Sequence, residues 1–148
     1  MLKNDLCLHL GEILNARLMD LENDIAALEE SKNNDTKSSM GDKYETSREM
    51  AQAEWNKLQE RKGQIVQQIH VLQQIHTENQ HQRVTQGSIV KTPSIQLFFS
   101  IPFGKFTFNG ESWMGVSLHS PIGKAFEGKK NGEIVEFNQN QYPILQLE

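Results

Sequence analysis

The chain has 148 residues, 36% of them hydrophobic and 23% charged, with 15 basic against 19 acidic side chains. A mean hydropathy of −0.59, with no apolar run near the ~20 residues that span a bilayer, excludes a helical membrane protein. The acidic balance also argues against a free-standing nucleic-acid binder, whose affinity comes largely from basic groups that neutralise phosphates and release counterions, so no sequence-specific DNA partner is expected.

Charge divides the chain. Residues 1–86 hold ten Lys/Arg against fourteen Asp/Glu, whereas residues 87–148 hold five of each. The opening MLKNDLCLHLGE is interrupted by Asp5 and Glu12, which the apolar core of a signal peptide does not tolerate, so a cytoplasmic protein with no membrane partner is expected. Cys7 is the single cysteine and cannot close an internal disulfide; its ordinary role is that of a small buried hydrophobe.

The first element reads as a helix. Cys7, Gly11, Leu14, Leu18, Leu21, Ile25 and Leu28 follow alternating steps of four and three, the apolar seam of a coiled coil, with Gly11 as its weak position. SKNNDTKSSMGD, residues 31–42, is rich in turn formers and lacks apolar periodicity, so it ends this helix and reverses the chain. Thr46 or Ser47 is placed to cap the second helix. Ala51, Trp55, Leu58, Lys62, Ile65, Ile69, Leu72 and His76 then repeat the rhythm, with Lys62 and His76 as polar exceptions. Residues 1–77 therefore form an antiparallel coiled-coil hairpin, a finger whose helices of about 28 residues each run roughly 40 Å. Its acidic tip lies near residues 41–45.

The seam fades in a stretch dominated by Gln and His, and residues 78–86 read as a linker. Beyond it, GSIVKTPSIQLFFSIPF alternates, with Ile95, Leu97, Phe99, Ile101 and Phe103 on one face. KFTFNG, ESWMGVSL, GEIVEFN and QYPILQLE follow as short strands punctuated by Gly, Asn and Pro. Between strands, SPIGKAFEG supplies Ser120 as N-cap, Pro121 at the first helical position and Gly128 as a stop, so one short helix packs on the sheet. The expected fold class is α+β, with residues 87–148 as the second domain.

Several residue sets could carry chemistry. Asp42 and Glu45 in GDKYE are two carboxylates three residues apart, a spacing that points both the same way at a helix entrance. Acids there also suit the helix macrodipole with no metal involved, at about 0.3–1 kcal/mol each. Lys32, Lys37, Lys43 and Arg48 gather near the same end, where a charged surface serves solubility or meets phosphates and carboxylates. His9, His70, His76, His81 and His119 lack the spacing of a zinc site and are expected to be mostly solvated. Phe98, Phe99, Phe103, Phe106, Phe108 and Trp113 recur at strand spacing, as the core of a small domain does.

SPIGKAFEGKKNGE, residues 120–133, resembles the C-terminal domain of bacterial Gre-type transcript cleavage factors, in which a Ser-Pro-small-Gly-basic-Ala run opens a short helix and a Gly-Lys-Lys-x-Gly turn leads into the last strands. GDKYE, residues 41–45, resembles the Gly-Asp-x-x-Glu at the tip of the Gre coiled coil, so the resemblance spans nearly the whole chain. It implies an FKBP-like C-terminal sheet domain and a finger that enters the secondary channel of bacterial RNA polymerase. It further implies an accessory factor rather than a complete enzyme, probing the nascent RNA 3′ end only indirectly. Asp42 and Glu45 would hold a magnesium ion shared with the polymerase and orient a water that cuts backtracked RNA, with no cofactor in the free protein, which is expected to be a monomer. Ser120, Pro121, Lys124, Lys129 and Lys130 would form the partner surface, and Lys37, Lys43 and Arg48 would contact RNA or polymerase.

After Glu45 the chain reads TSREMAQAE; Ala51 and Glu54 fit the family's pattern, whereas Thr46, Ser47, Arg48 and Glu49 depart from its Asn-Ala-Glu-Tyr. Two alternatives stay open on that account: a Gre-fold channel regulator that inhibits or modulates polymerase without cleavage, and an FKBP-like folding helper with a coiled-coil clamp.

Overall fold

A computed structural model describes the backbone of residues 1–35 and 41–148 and the side chains of residues 1–31 and 45–148. The fold is α+β. Two long helices, α1 (Leu2–Asp35) and α2 (Gly41–Gln73), precede strands β1 (Ile89–Lys91), β2 (Gln96–Phe99), β3 (Gly104–Phe108) and β4 (Glu111–Val116). The short helix α3 (Pro121–Phe126) is followed by β5 (Ile134–Phe137), β6 (Asn140–Pro143) and β7 (Gln146–Leu147). The chain forms two compact units, one of residues 11–70 and one that combines residues 1–10 with 71–148.

Within residues 11–70 the expected seam forms. Leu21, Ile25 and Leu58 are buried together, with Leu28, Trp55 and Ile65 packed against them. Two side-chain contacts set the direction of pairing: Lys62 Nζ lies 3.7 Å from a Glu22 carboxylate oxygen, and Trp55 Nε1 donates to Glu29 Oε1 at 3.1 Å. Moving up α1 by seven residues, from 22 to 29, moves down α2 by seven, from 62 to 55, which is antiparallel pairing over one heptad. These contacts also account for Lys62 in an apolar seam: its stem lies half-buried and its ammonium reaches out to Glu22. Exposed pairs of this kind contribute at most about 1 kcal/mol, so they specify register more than they stabilise.

Both helices run further than the composition of residues 31–42 suggests. α1 continues to Asp35, and α2 begins at Gly41 rather than behind a cap at Thr46 or Ser47. Extending an existing helix adds one hydrogen bond per residue ordered, without a new nucleation cost, so weak helix formers beside a packed pair are drawn in. At its other end α2 stops at Gln73, leaving His76 exposed and outside the seam.

The first turns of α1 present a different stripe. Lys3, Leu6 and Leu10 are buried, while Cys7 and Gly11, the expected seam positions, are only half-buried. Burial pushes the Cys7 thiol up to about 11, with the Lys3 ammonium pulling weakly the other way, so the thiol is a poor nucleophile. His9 stacks obliquely on Phe106 and Phe108, with ring centroids 6.0 and 5.1 Å apart.

The main sheet has the order β3-β4-β2-β1-β7; β2 and β4 run parallel, and the other neighbours antiparallel. The long alternating run of residues 87–103 is therefore not one strand. Thr92 N–H and Oγ1 both bond the Ile95 carbonyl in a turn containing Pro93, and Pro102 lies in a second break. The register gives the sheet two covered faces. Val90, Leu97, Phe99 and Val116 share a core with Val84, Phe126, Val135 and Ile144. On the opposite face, Phe106 pairs across β3 and β4 with the buried Trp113, the rings stacking at 6.4 Å. The β3–β4 hairpin closes through Asn109 and Gly110, at φ 50 and 77, the left-handed pair that a two-residue turn matching strand twist requires. QYPILQLE splits in the same way: β6 pairs with β5 as far as Pro143, and β7 then joins β1.

Residues 78–86, read as a linker, are stitched into this unit. Val84 is buried in the core, its N–H donates to the Lys129 carbonyl and its carbonyl accepts from Gly128 N–H, both at 2.9 Å. Polar composition concealed one apolar anchor.

A polar joint ties the first turn of α1 to the same segment. Lys3 Nζ donates to the Asn79 carbonyl and lies 3.3 Å from His81 Nδ1, to which the buried Ser88 hydroxyl is also bonded at 3.0 Å. Because the Lys3 ammonium only donates, His81 Nδ1 acts as acceptor in this contact and the ring is neutral. Burial, then the Lys3 charge, holds its pKa below the ordinary 6.5, against a hydrogen bond to the Glu148 backbone that raises it. His9 and His81 thus do structural work rather than standing in solvent. The unfolded chain takes up the His81 proton near 6.5 and the folded chain only at lower pH, so in that interval the unfolded state holds more protons and stability rises with pH. Urea midpoints measured between about pH 7.5 and 5 should be flat at the upper end and fall below 6.5. His81→Asn, which keeps an acceptor but cannot titrate, should flatten that fall.

Candidate functional site

The acidic residues lie at the start of α2. Asp42 and Glu45 belong to its first turns rather than to a tight loop, so their i, i+3 spacing sets them on one helical face. Glu45 is exposed and has no ion pair among the described residues. Arg48, three residues on, is also exposed and shares that face. The side chains of Asp42 and Lys43, and the whole of Lys37, lie outside the described residues. Two carboxylates offer hard oxygen donors, the chemistry magnesium prefers, while needing further ligands and waters to complete its octahedron. Among the described residues, no cluster of three His, Cys, Asp or Glu side chains could hold a metal ion, and no helix is long and apolar enough to cross a membrane.

The second set of residues is built around α3. Ser120 adopts an extended backbone at φ −73 and ψ 159, and its Oγ accepts from Gly123 N–H at 3.1 Å, satisfying an N–H that the helix start leaves open. The same hydroxyl donates to the Ser117 carbonyl at 2.6 Å, tying the cap to the preceding turn. Pro121 follows at the first helical position, where its missing N–H costs nothing, and Gly128 ends the turn at φ +78.

Gly123 allows this segment to pack closely. A Cβ there would sit 2.0 Å from the Ser117 carbonyl oxygen and 2.7 Å from Leu118 Cα, both backbone atoms that cannot swing aside. The close approach carries Phe126 into the core, where its ring lies 5.7 Å from Phe99 and 6.0 Å from Tyr142. Pro121 and Lys124 face solvent, as does Lys130 in the following turn, whereas Ser120 and Lys129 are half-buried. Lys130 N–H donates to a Glu133 carboxylate oxygen, and Gly132 N–H to the Ile144 carbonyl, which fixes the turn against the strands that follow.

Ser120, Pro121, Lys124, Lys129 and Lys130 thus lie on or beside one helix and its exit turn. Sequence inspection missed Arg83, whose Nη1 donates to the Gly128 carbonyl at 3.3 Å. Its place in a polar stretch of Gln and His offered no signal of that contact. Of the aromatic set, Phe98, Phe99 and Trp113 are fully buried, and Phe103, Phe106 and Phe108 half-buried.

No family model matches the chain, and no curated protein does. Among solved structures, it is similar to the transcription factor Gfh1, at 18% identity over 93% of this chain and 92% of that one, with a TM-score of 0.37. It is also similar to GreA factor homolog 1 (Gfh1) of Thermus thermophilus, at 15% identity over 97% of this chain and 93% of that one, TM-score 0.36. Thermus aquaticus Gfh1 is 20% identical over 98% of this chain and 93% of its own, TM-score 0.32. At this level of likeness, function has to be argued from the chain's own residues.

Replacing Gly123 by Ala forces backbone apart at the α3 entrance and should cost about 3 kcal/mol in urea unfolding. Gly11, with open space within 4 Å of its would-be Cβ, is the control: Gly11→Ala should be neutral or stabilise the helix by up to about 1 kcal/mol.

Proposed function

We propose that this protein is a Gre-like transcription elongation factor that enters the secondary channel of bacterial RNA polymerase and stimulates cleavage of backtracked RNA. The observation that carries this is the acidic pair at the entrance of α2 in an antiparallel helical hairpin, together with the Ser-Pro-Ile-Gly-Lys-Ala helix of the sheet unit. Two carboxylates alone fall short of the six oxygen ligands that magnesium takes, which suits a half-site completed by a partner.

In this role the factor is an accessory to the nuclease activity of the polymerase. Asp42 and Glu45 would hold a magnesium ion jointly with the polymerase's own carboxylates, and a second metal in a phosphodiester site supplies charge stabilisation to the attacking and leaving oxygens. The chain's own contribution is positional. The i, i+3 spacing at the helix start puts both positions on one face, and a carboxylate there can accept a hydrogen bond from the attacking water and so orient it. Arg48 on the same face would contact RNA phosphate or polymerase, together with Lys37 and Lys43. The surface carrying Ser120, Pro121, Lys124, Lys129 and Lys130 would dock on the polymerase and provide most of the affinity.

Thr46, Ser47, Arg48 and Glu49 favour one second reading, a channel-binding regulator that inhibits without cleavage, because their departure from the family pattern changes the surface next to the acids. A single experiment separates the two. Release of short 3′ RNA fragments from a backtracked complex is followed across a magnesium series at saturating factor, with wild type, Asp42→Asn, Glu45→Gln and the double variant. Wild type should cleave at lower magnesium than polymerase alone; the double variant should bind but fall to the polymerase baseline, with the defect shrinking as magnesium rises. Removing two charges that belong to no apolar seam costs the hairpin about 1 kcal/mol in all, so unfolding does not confound the result. Equal cleavage by wild type and double variant would refute a catalytic role for the acids, and binding without any cleavage would select the inhibitory regulator.

A further inference from the structure

The Gly128 carbonyl accepts from the Arg83 guanidinium, and three lysines lie within a few residues of Gly128 in the chain. Val84 exchanges backbone hydrogen bonds with Gly128 and Lys129, which draws Arg83 onto the exit of α3, where its guanidinium donates to the Gly128 carbonyl. Lys124 stands in the last turn of α3, and Lys129 and Lys130 follow directly. Among the described residues no carboxylate forms an ion pair with Arg83, Lys124, Lys129 or Lys130. Of the two acids that flank the lysine pair, Glu127 and Glu133, Glu133 has a carboxylate oxygen engaged by the Lys130 backbone N–H. Exposed apolar groups accompany these cations: Pro121 at the start of α3, and Ile134, 59% exposed, at the start of β5.

We propose that this rim, with Arg83 as its fixed member, is a docking surface for an acidic protein segment. The proposal rests on the assignment of the chain as a polymerase-binding factor and names the chemistry of the partner that its α3 surface meets. Four cations that form no ion pair among the described residues are complementary to a segment bearing several carboxylates. Arg83 is the strongest of them, because a guanidinium already anchored on a carbonyl keeps further N–H groups for a carboxylate and loses little rotamer freedom on binding. A nucleic acid fits less well. Glu127, Glu133 and Glu136 interleave with the cations and would repel a continuous phosphate track, whereas a polypeptide presents carboxylates at discrete points with apolar side chains between them for Pro121 and Ile134.

The test measures binding of the full-length protein to bacterial core RNA polymerase over a salt series, for wild type, Arg83→Glu with Lys130→Glu, and Arg83→Lys. Unchanged circular dichroism and urea midpoints establish that the variants fold. Charge reversal should weaken binding about tenfold at low salt, with the gap closing as salt screens it, and Arg83→Lys should lose part of the affinity although charge is kept. Equal affinity of wild type and the reversed variant would overturn the acidic-segment inference while leaving polymerase binding in place. Loss of binding to a labelled single-stranded RNA, with polymerase affinity unchanged, would overturn it in favour of a nucleic-acid contact. A wild-type protein that fails to bind polymerase at all would overturn both the inference and the function on which it rests.

Discussion

The structure depends on one constraint in α1: the helix must bury Lys3, Leu6 and Leu10 in its first turns and then offer Leu14, Leu21 and Ile25 farther on. Extended backwards, the later seam predicts positions 11 and 7. The stripe at 10, 6 and 3 is displaced by one residue, about 100° around the helix axis. The first turns therefore use Leu10, one turn before Leu14, in place of position 11. This first stretch belongs with the sheet, where His9 covers Phe106 and Phe108 and Lys3 is held by Asn79 and His81.

That anchorage explains why a lysine is tolerated at 5% exposure. Burial lowers the Lys3 pKa, while the charges of Glu148 and then Cys7 raise it. Carbonyl and imidazole acceptors replace part of the water its ammonium gives up, as a buried charge requires. The joint also gives a job to residues 78–88, which look like solvated spacer by composition but carry His81, Val84 and Ser88 into the packed unit. A single apolar residue and two polar ones suffice, because their backbone neighbours pair with α3's exit and with β2.

The two candidate surfaces arise from unlike local rules. At the entrance of α2, charge is concentrated by helical spacing alone, with the register of the hairpin specified by contacts such as Glu22 with Lys62 and Glu29 with Trp55. Around Gly128, charge is concentrated by tertiary hydrogen bonds that bring Arg83 beside residues more than 40 positions away in sequence. Gly123 is the enabling element there, since any side chain at that position would lift α3 off the backbone of residues 117–118 and move the rim with it.

Much of this was legible in the sequence. The heptad steps of residues 14–28 and 51–72, the Ser120-Pro121 helix start, the Gly128 stop and the aromatic positions of the sheet follow from local periodicity and capping, which depend on neighbours three or four residues apart. The acidic pair and the lysines of the α3 turn were visible for the same reason. Other features needed the tertiary structure: the shifted stripe of α1, the helices running on through residues 31–35 and 41–46, and the break of one alternating run into strands that pair with different partners. So did the capture of Val84, the neutral His81 and Arg83's place on the Gly128 carbonyl. Apart from the helix extension, which follows from propagation of an existing helix, each of these depends on a contact between residues far apart in sequence, whose energy appears only after packing, and periodicity along a single chain carries no trace of which distant backbone will supply the missing donor or acceptor.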